Sequence, residues 1–153
     1  MNANGITIDR NYPTGIDYNT EKEELIIATK TDIRCIDAVT GHTKRILSIE
    51  ESEIMKCQIY FDNKQVVICK NNGDINLHSI ENGELTKNLI GHSKAVSDLC
   101  LDSVNKIIVS GGGDSRLLFQ NEKENNYLLR MQDKAHLKYD ITLVTASPNV
   151  VGM

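Results

Sequence analysis

At 153 residues, with 40% hydrophobic and 25% charged residues, the chain has the length and balance of one ordinary globular domain, which excludes wholesale disorder. Net charge is −4 at pH 7 and Lys and Arg are scattered, so the clustered basic face that phosphate neutralisation needs is missing and no nucleic-acid partner is expected. Aliphatic runs last only a few residues, far short of a bilayer span, so no membrane partner is expected either.

The N-terminus, Met1-Asn2-Ala3-Asn4-Gly5, has no basic stretch followed by an apolar run, so no signal peptide is expected and the chain reads as cytoplasmic. Short strand-like runs separated by turn chemistry then follow, the signature of an all-β chain. A first unit, about 14–50, places strands at 15–19, 25–29, 33–37 and 44–48. A second, about 54–92, places them at 56–61, 65–70, 75–80 and 85–90, with Asn72-Gly73 a strong hairpin dipeptide. A third, about 94–133, places them at 96–101, 106–110, 116–120 and 127–131. A fourth begins at about 136–153, opening with a strand at 140–146. Aromatics at 5% and the absence of Trp leave aliphatic runs such as Leu25-Ile26-Ile27, Val66-Val67-Ile68 and Ile107-Ile108-Val109 to build the core.

One phrase recurs at a constant step. Asp32-Ile33-Arg34-Cys35-Ile36-Asp37, Asp74-Ile75-Asn76-Leu77-His78-Ser79 and Ser115-Arg116-Leu117-Leu118-Phe119-Gln120-Asn121 align with Ile36, His78 and Gln120 in one column. The intervals are 78 − 36 = 42 and 120 − 78 = 42. That period belongs to propeller blades of four short strands, about 40–45 residues each. A repeat array is read as a surface for holding partners. Three blades and part of a fourth leave a blade face bare, so the ring is expected to be completed by further sequence or another chain.

The sequence resembles the WD40-repeat family over nearly its whole length. Gly91-His92, then Ser110-Gly111-Gly112-Gly113-Asp114, then Leu117-Leu118-Phe119-Gln120-Asn121 follow that family's Gly-His, turn-Asp and Trp-Asp pattern. In the family a His, a strand Ser or Thr, a Trp and a turn Asp share hydrogen bonds within a blade. The resemblance therefore implies such a network at His92, Ser110 and Asp114, with Gln120 where Trp would stand, and Asp32 and Asp74 in the equivalent turns. Ile36-Asp37 keeps only the Asp of the terminal pair, and His78-Ser79 keeps neither residue. A narrower similarity, Ala135-His136 followed by Asp140-Ile141-Thr142, is to Trp-poor WD-repeat proteins of the ciliary axoneme. It implies a structural part of a microtubule assembly, with tubulin or axonemal proteins as neighbours.

Catalytic and ligand-binding readings are weaker throughout. Gly111-Gly112-Gly113-Asp114 leads into a strand rather than the helix a phosphate loop requires. Ser110 lacks the Gly-x-Ser-x-Gly elbow that exposes a nucleophile. His42, His78, His92 and His136 are far apart without ligand-spaced Cys or carboxylates, and Cys35, Cys57, Cys69 and Cys100 form no C-x-x-C, so neither metal nor cofactor is expected. Buried reduced thiols are the expectation. The sequence thus predicts a partial WD40-type β-propeller, a non-catalytic scaffold that binds other proteins. The alternative is a regulatory or sensor segment of a larger signalling enzyme.

Overall fold

The computed structural model describes residues 12–49 and 51–121, and the backbone of 127–132. Twelve strands form three four-stranded antiparallel sheets, and no helix occurs among the described residues. The first sheet comprises β1 (Gly15–Asn19), β2 (Glu24–Ala28), β3 (Asp32–Asp37) and β4 (Thr43–Ser48). The second comprises β5 (Ile54–Ile59), β6 (Gln65–Lys70), β7 (Ile75–Ser79) and β8 (Leu85–Asn88). The third comprises β9 (Val96–Asp102), β10 (Ile107–Gly112), β11 (Arg116–Asn121) and β12 (Tyr127–Gln132). Strands in each sheet neighbour one another in chain order, and the innermost strands β1, β5 and β9 lie side by side. This is the blade arrangement of a propeller. The stretch expected to open a fourth blade lies outside the described residues.

Alternation along the strands decides which face meets which blade. On β6, Val66 and Ile68 pack toward blade 1 with Ile26, Ala28, Ile33 and Cys35, whereas Val67 and Cys69 pack toward blade 3 with Val96, Leu99 and Ile108. With both faces covered, β6 can be apolar almost continuously, as Val66-Val67-Ile68-Cys69 is. The outer strand β8, Leu85-Thr86-Lys87-Asn88, is largely exposed, and Lys87 on its edge discourages further strand pairing. Aliphatic side chains supply nearly all of the two interblade cores, each contributing about 1.5–3 kcal/mol when fully buried.

The 42-residue step has a backbone counterpart. In each sheet the outermost pairing carries a bulge: Cys35 faces Arg45 but Ile36 faces Thr43, Leu77 faces Lys87 but His78 faces Leu85, and Phe119 faces Leu129 but Gln120 faces Tyr127. The extra residues are Lys44, Thr86 and Leu128, at steps of 86 − 44 = 42 and 128 − 86 = 42. A bulge bends the strand and re-aims the side chain opposite it. The aligned column is therefore a geometric position, whatever residue fills it.

Candidate functional site

The linker from β8 to β9, residues 89–95, is bound into blade 3 by polar contacts. Its Ile90 donates its N–H to Gln120 Oε1 at 2.9 Å, and its carbonyl accepts from Gln120 Nε2 at 2.7 Å. Two residues on, His92 donates its backbone N–H to the Gly73 carbonyl at 2.9 Å. Its ring then joins blade 3: Nδ1 lies 2.8 Å from Asp114 Oδ1, and Nε2 lies 2.9 Å from Ser110 Oγ. The His92 side chain is wholly buried.

Proton positions follow from the partners. Asp114 also accepts the backbone N–H groups of Ser93 at 3.0 Å and Arg116 at 3.2 Å. Burial acts to raise its pKa, but the His92 hydrogen bond and these N–H donors outweigh it and hold the carboxyl below its ordinary value. An ionised Asp114 only accepts, so Nδ1 carries a ring proton, and Nε2 faces the Ser110 hydroxyl. Two glycines make the approach possible. A Cβ on Gly73, which sits at φ 99, would fall 2.0 Å from the His92 carbonyl oxygen, and one on Gly112 would fall 2.7 Å from His92 Nδ1.

His92, Ser110 and Asp114 are thus brought together. Asp32 and Asp74 are not placed in equivalent positions, which corrects the sequence expectation. The turns closed by Gly73 N–H to the Lys70 carbonyl and by Ser115 N–H to the Gly112 carbonyl are the same turn. Asn72 is therefore the counterpart of Asp114, and Asp74 the counterpart of Arg116. Asp74 accepts from Asn72 Nδ2 at 2.9 Å, and Asp32 accepts from Thr29 Oγ1 and Arg34 Nε, each at 3.0 Å. Neither aspartate has a histidine ring to hold.

The family pattern gives Gln120 only as a missing Trp, yet it ties the linker at two points. A signal was available: an amide inside Leu117-Leu118-Phe119-Gln120 must find partners once buried, and Gln120 is 3% exposed. Blade 1 meets blade 2 through other polar ties. The buried Glu24 pairs with Arg45 Nη2 at 2.8 Å, and Arg45 Nε reaches the Ile80 carbonyl at 3.2 Å. Asp17 accepts the Ile59 N–H at 2.8 Å. Among the described residues, no group of three or more His, Cys, Asp or Glu side chains is placed to hold a metal ion.

Solved structures share this architecture. The chain superposes on the crystal structure of the RRP9 WD40 repeats with a TM-score of 0.72 and 16% identity, covering 84% of this chain and 41% of that one. The crystal structure of the mitotic checkpoint complex contains a similar chain, with a TM-score of 0.72 and 15% identity over 83% of this chain and 40% of that one. The computationally designed Ika4 protein gives a TM-score of 0.74 and 20% identity over 95% and 86%. The chain thus spans about two-fifths of the first two. No protein-family model and no curated protein sequence matches it. The fold is all-β and of WD40-propeller type.

Proposed function

We propose that the chain is a non-catalytic scaffold whose blades hold other proteins by their loops and exposed edges. One observation carries the reading. The only Ser–His–Asp chain among the described hydrogen bonds is spent on folding: Ser110 is fully buried, and neither described cleft is lined by Ser110, His92 or Asp114. A nucleophile needs a concave site where a reacting atom fits beside it, and Ser110 lines neither of the two clefts among the described residues. The WD40-type fold of its structural neighbours, among them a chain in a checkpoint complex, supports the same reading.

Proximity cross-linking of the native protein with mass spectrometry tests it, alongside an ester-hydrolysis assay on Ser110→Ala. Captured protein neighbours and no Ser110-dependent turnover are expected. Turnover that disappears in Ser110→Ala overturns the proposal. The axonemal placement is a narrower proposal carried by Ala135-His136 and Asp140-Ile141-Thr142, which lie outside the described residues. Tubulin among the captured neighbours is its test.

A further inference from the structure

The linkers entering blades 2 and 3 differ in length, and a cleft lies beside the shorter one. Seven residues, 89–95, join β8 to β9, whereas five, 49–53, join β4 to β5. In blade 3 the longer linker runs in front of β11 and is seized by Gln120. In blade 2 Glu51, within the shorter linker, sits at φ 85. A cavity of about 620 Å³ remains beside β7, with His78, the counterpart of Gln120, in its wall.

His78 is 7% exposed and one-sided in its bonding. Nδ1 lies 2.9 Å from the Gly83 carbonyl, which can only accept, so the ring proton sits there. Nε2 is left as a buried lone pair with no hydrogen-bond partner among the described residues. An unmet buried acceptor is costly; Nε2 is closed to water, so a donor from the cleft must displace its cover to relieve that cost.

We propose that this cleft binds an extended peptide segment, which lies along β7 and donates a backbone N–H to His78 Nε2, as Ile90 does to Gln120 one blade on. The neighbouring groups suit a peptide. Asn76 Nδ2 donates to Asn88 Oδ1 at 2.7 Å, which leaves the Asn88 amide N–H₂ to reach a peptide carbonyl. Leu85, 53% exposed at the mouth, offers an apolar rest. Glu51 and Asp74 set two carboxylates against the single ammonium of Lys70, so the site favours a segment with a basic side chain. This deepens the scaffold reading and rests on it.

The test is a nitrogen-15 chemical-shift titration of the full chain with a synthetic heptapeptide copying residues 88–94, Asn-Leu-Ile-Gly-His-Ser-Lys. Saturable shifts at the His78 ring nitrogens and at Asn76 and Asn88 are expected. His78→Leu should weaken binding about three- to tenfold, the worth of one hydrogen bond. His78→Gln, which copies the residue of blade 3, should keep it and shows that the fold survives change at this position. No shift up to about 10 mM, the edge of measurable association, overturns the proposal, as does unchanged binding by His78→Leu. Failure here leaves proteins captured by cross-linking untouched, so the cleft and the scaffold reading fall separately.

Discussion

The Gln120 side chain pairs with the Ile90 peptide as a neighbouring strand would, giving one hydrogen bond and taking one. The contact spans 30 residues and fixes the linker just ahead of His92. Replacing Gln120 with Leu keeps the bulk but strands both polar groups of Ile90. The expected loss is about 1–3 kcal/mol in urea unfolding, because Ile90 is only half-buried and water reaches part of what is abandoned. Hydrogen exchange at the Ile90 amide should quicken in the same variant, which separates loss of this tie from general loosening.

Stability should fall with acid in two stages. Burial, aided by the Lys70 charge and opposed by the Gly83 hydrogen bond, pushes the His78 ring below its ordinary value of 6.5. The unfolded chain therefore takes this proton more readily, so stability present above pH 6.5 declines as pH drops below it. Asp114 is held below its ordinary value of 3.8, and Glu24 below 4.5, where burial raises it but Arg45 and Lys44 outweigh that effect. Their contributions are whole above those values and vanish as pH falls through the lower, folded ones. Thermal melts across pH should show both stages in the parent chain and only the lower one in His78→Gln.

Gly73 and Gly41 form a matched pair. Both sit at positive φ, 99 and 75, but a Cβ on Gly41 meets nothing within 4 Å. Gly41→Ala should cost only the left-handed strain of about 1–2 kcal/mol. Gly73→Ala must also push aside the His92 backbone, and a loss above about 3 kcal/mol is expected. Equal melting temperatures in the two variants would contradict the close approach of this turn to the linker.

The four cysteines are free and buried. Burial foremost, with the Asp17 charge added, pushes the Cys57 thiol up to about 12, and burial drives Cys69 up as well. Thiolate is the reactive form, so the native protein should resist alkylation until it unfolds. Mass-resolved alkylation should find Cys100, 9% exposed, modified first and the fully buried Cys35 and Cys69 last.

The sheets were legible because their cause is local and repeated: aliphatic runs of strand length, punctuated by Asn, Asp and Gly turns, at a constant step. The His92–Ser110–Asp114 grouping was legible only through resemblance, since its members come from a linker, a strand and a turn. Asp32 and Asp74 misled because acidic residues are common near tight turns. Only the turn closures show that Asp114 sits two places earlier than they do. The β2–β3 hairpin adds to the difficulty, with four residues between Ala28 and Ile33 against five between Cys69 and Ile75. Gln120 was missed because a motif names the residue expected there, whereas the backbone specifies only where that side chain will point.

The recurring irregularity opposite Lys44, Thr86 and Leu128 separates architecture from content. Strand pairing sets the direction of one side chain per sheet, and an alkyl group, an imidazole and a carboxamide all occupy that spot without disturbing the ladder. Substitution there rewrites what a blade says to the segment passing over it, at a cost in stability set by the partners it abandons. A protein built this way acquires new attachments by editing single letters.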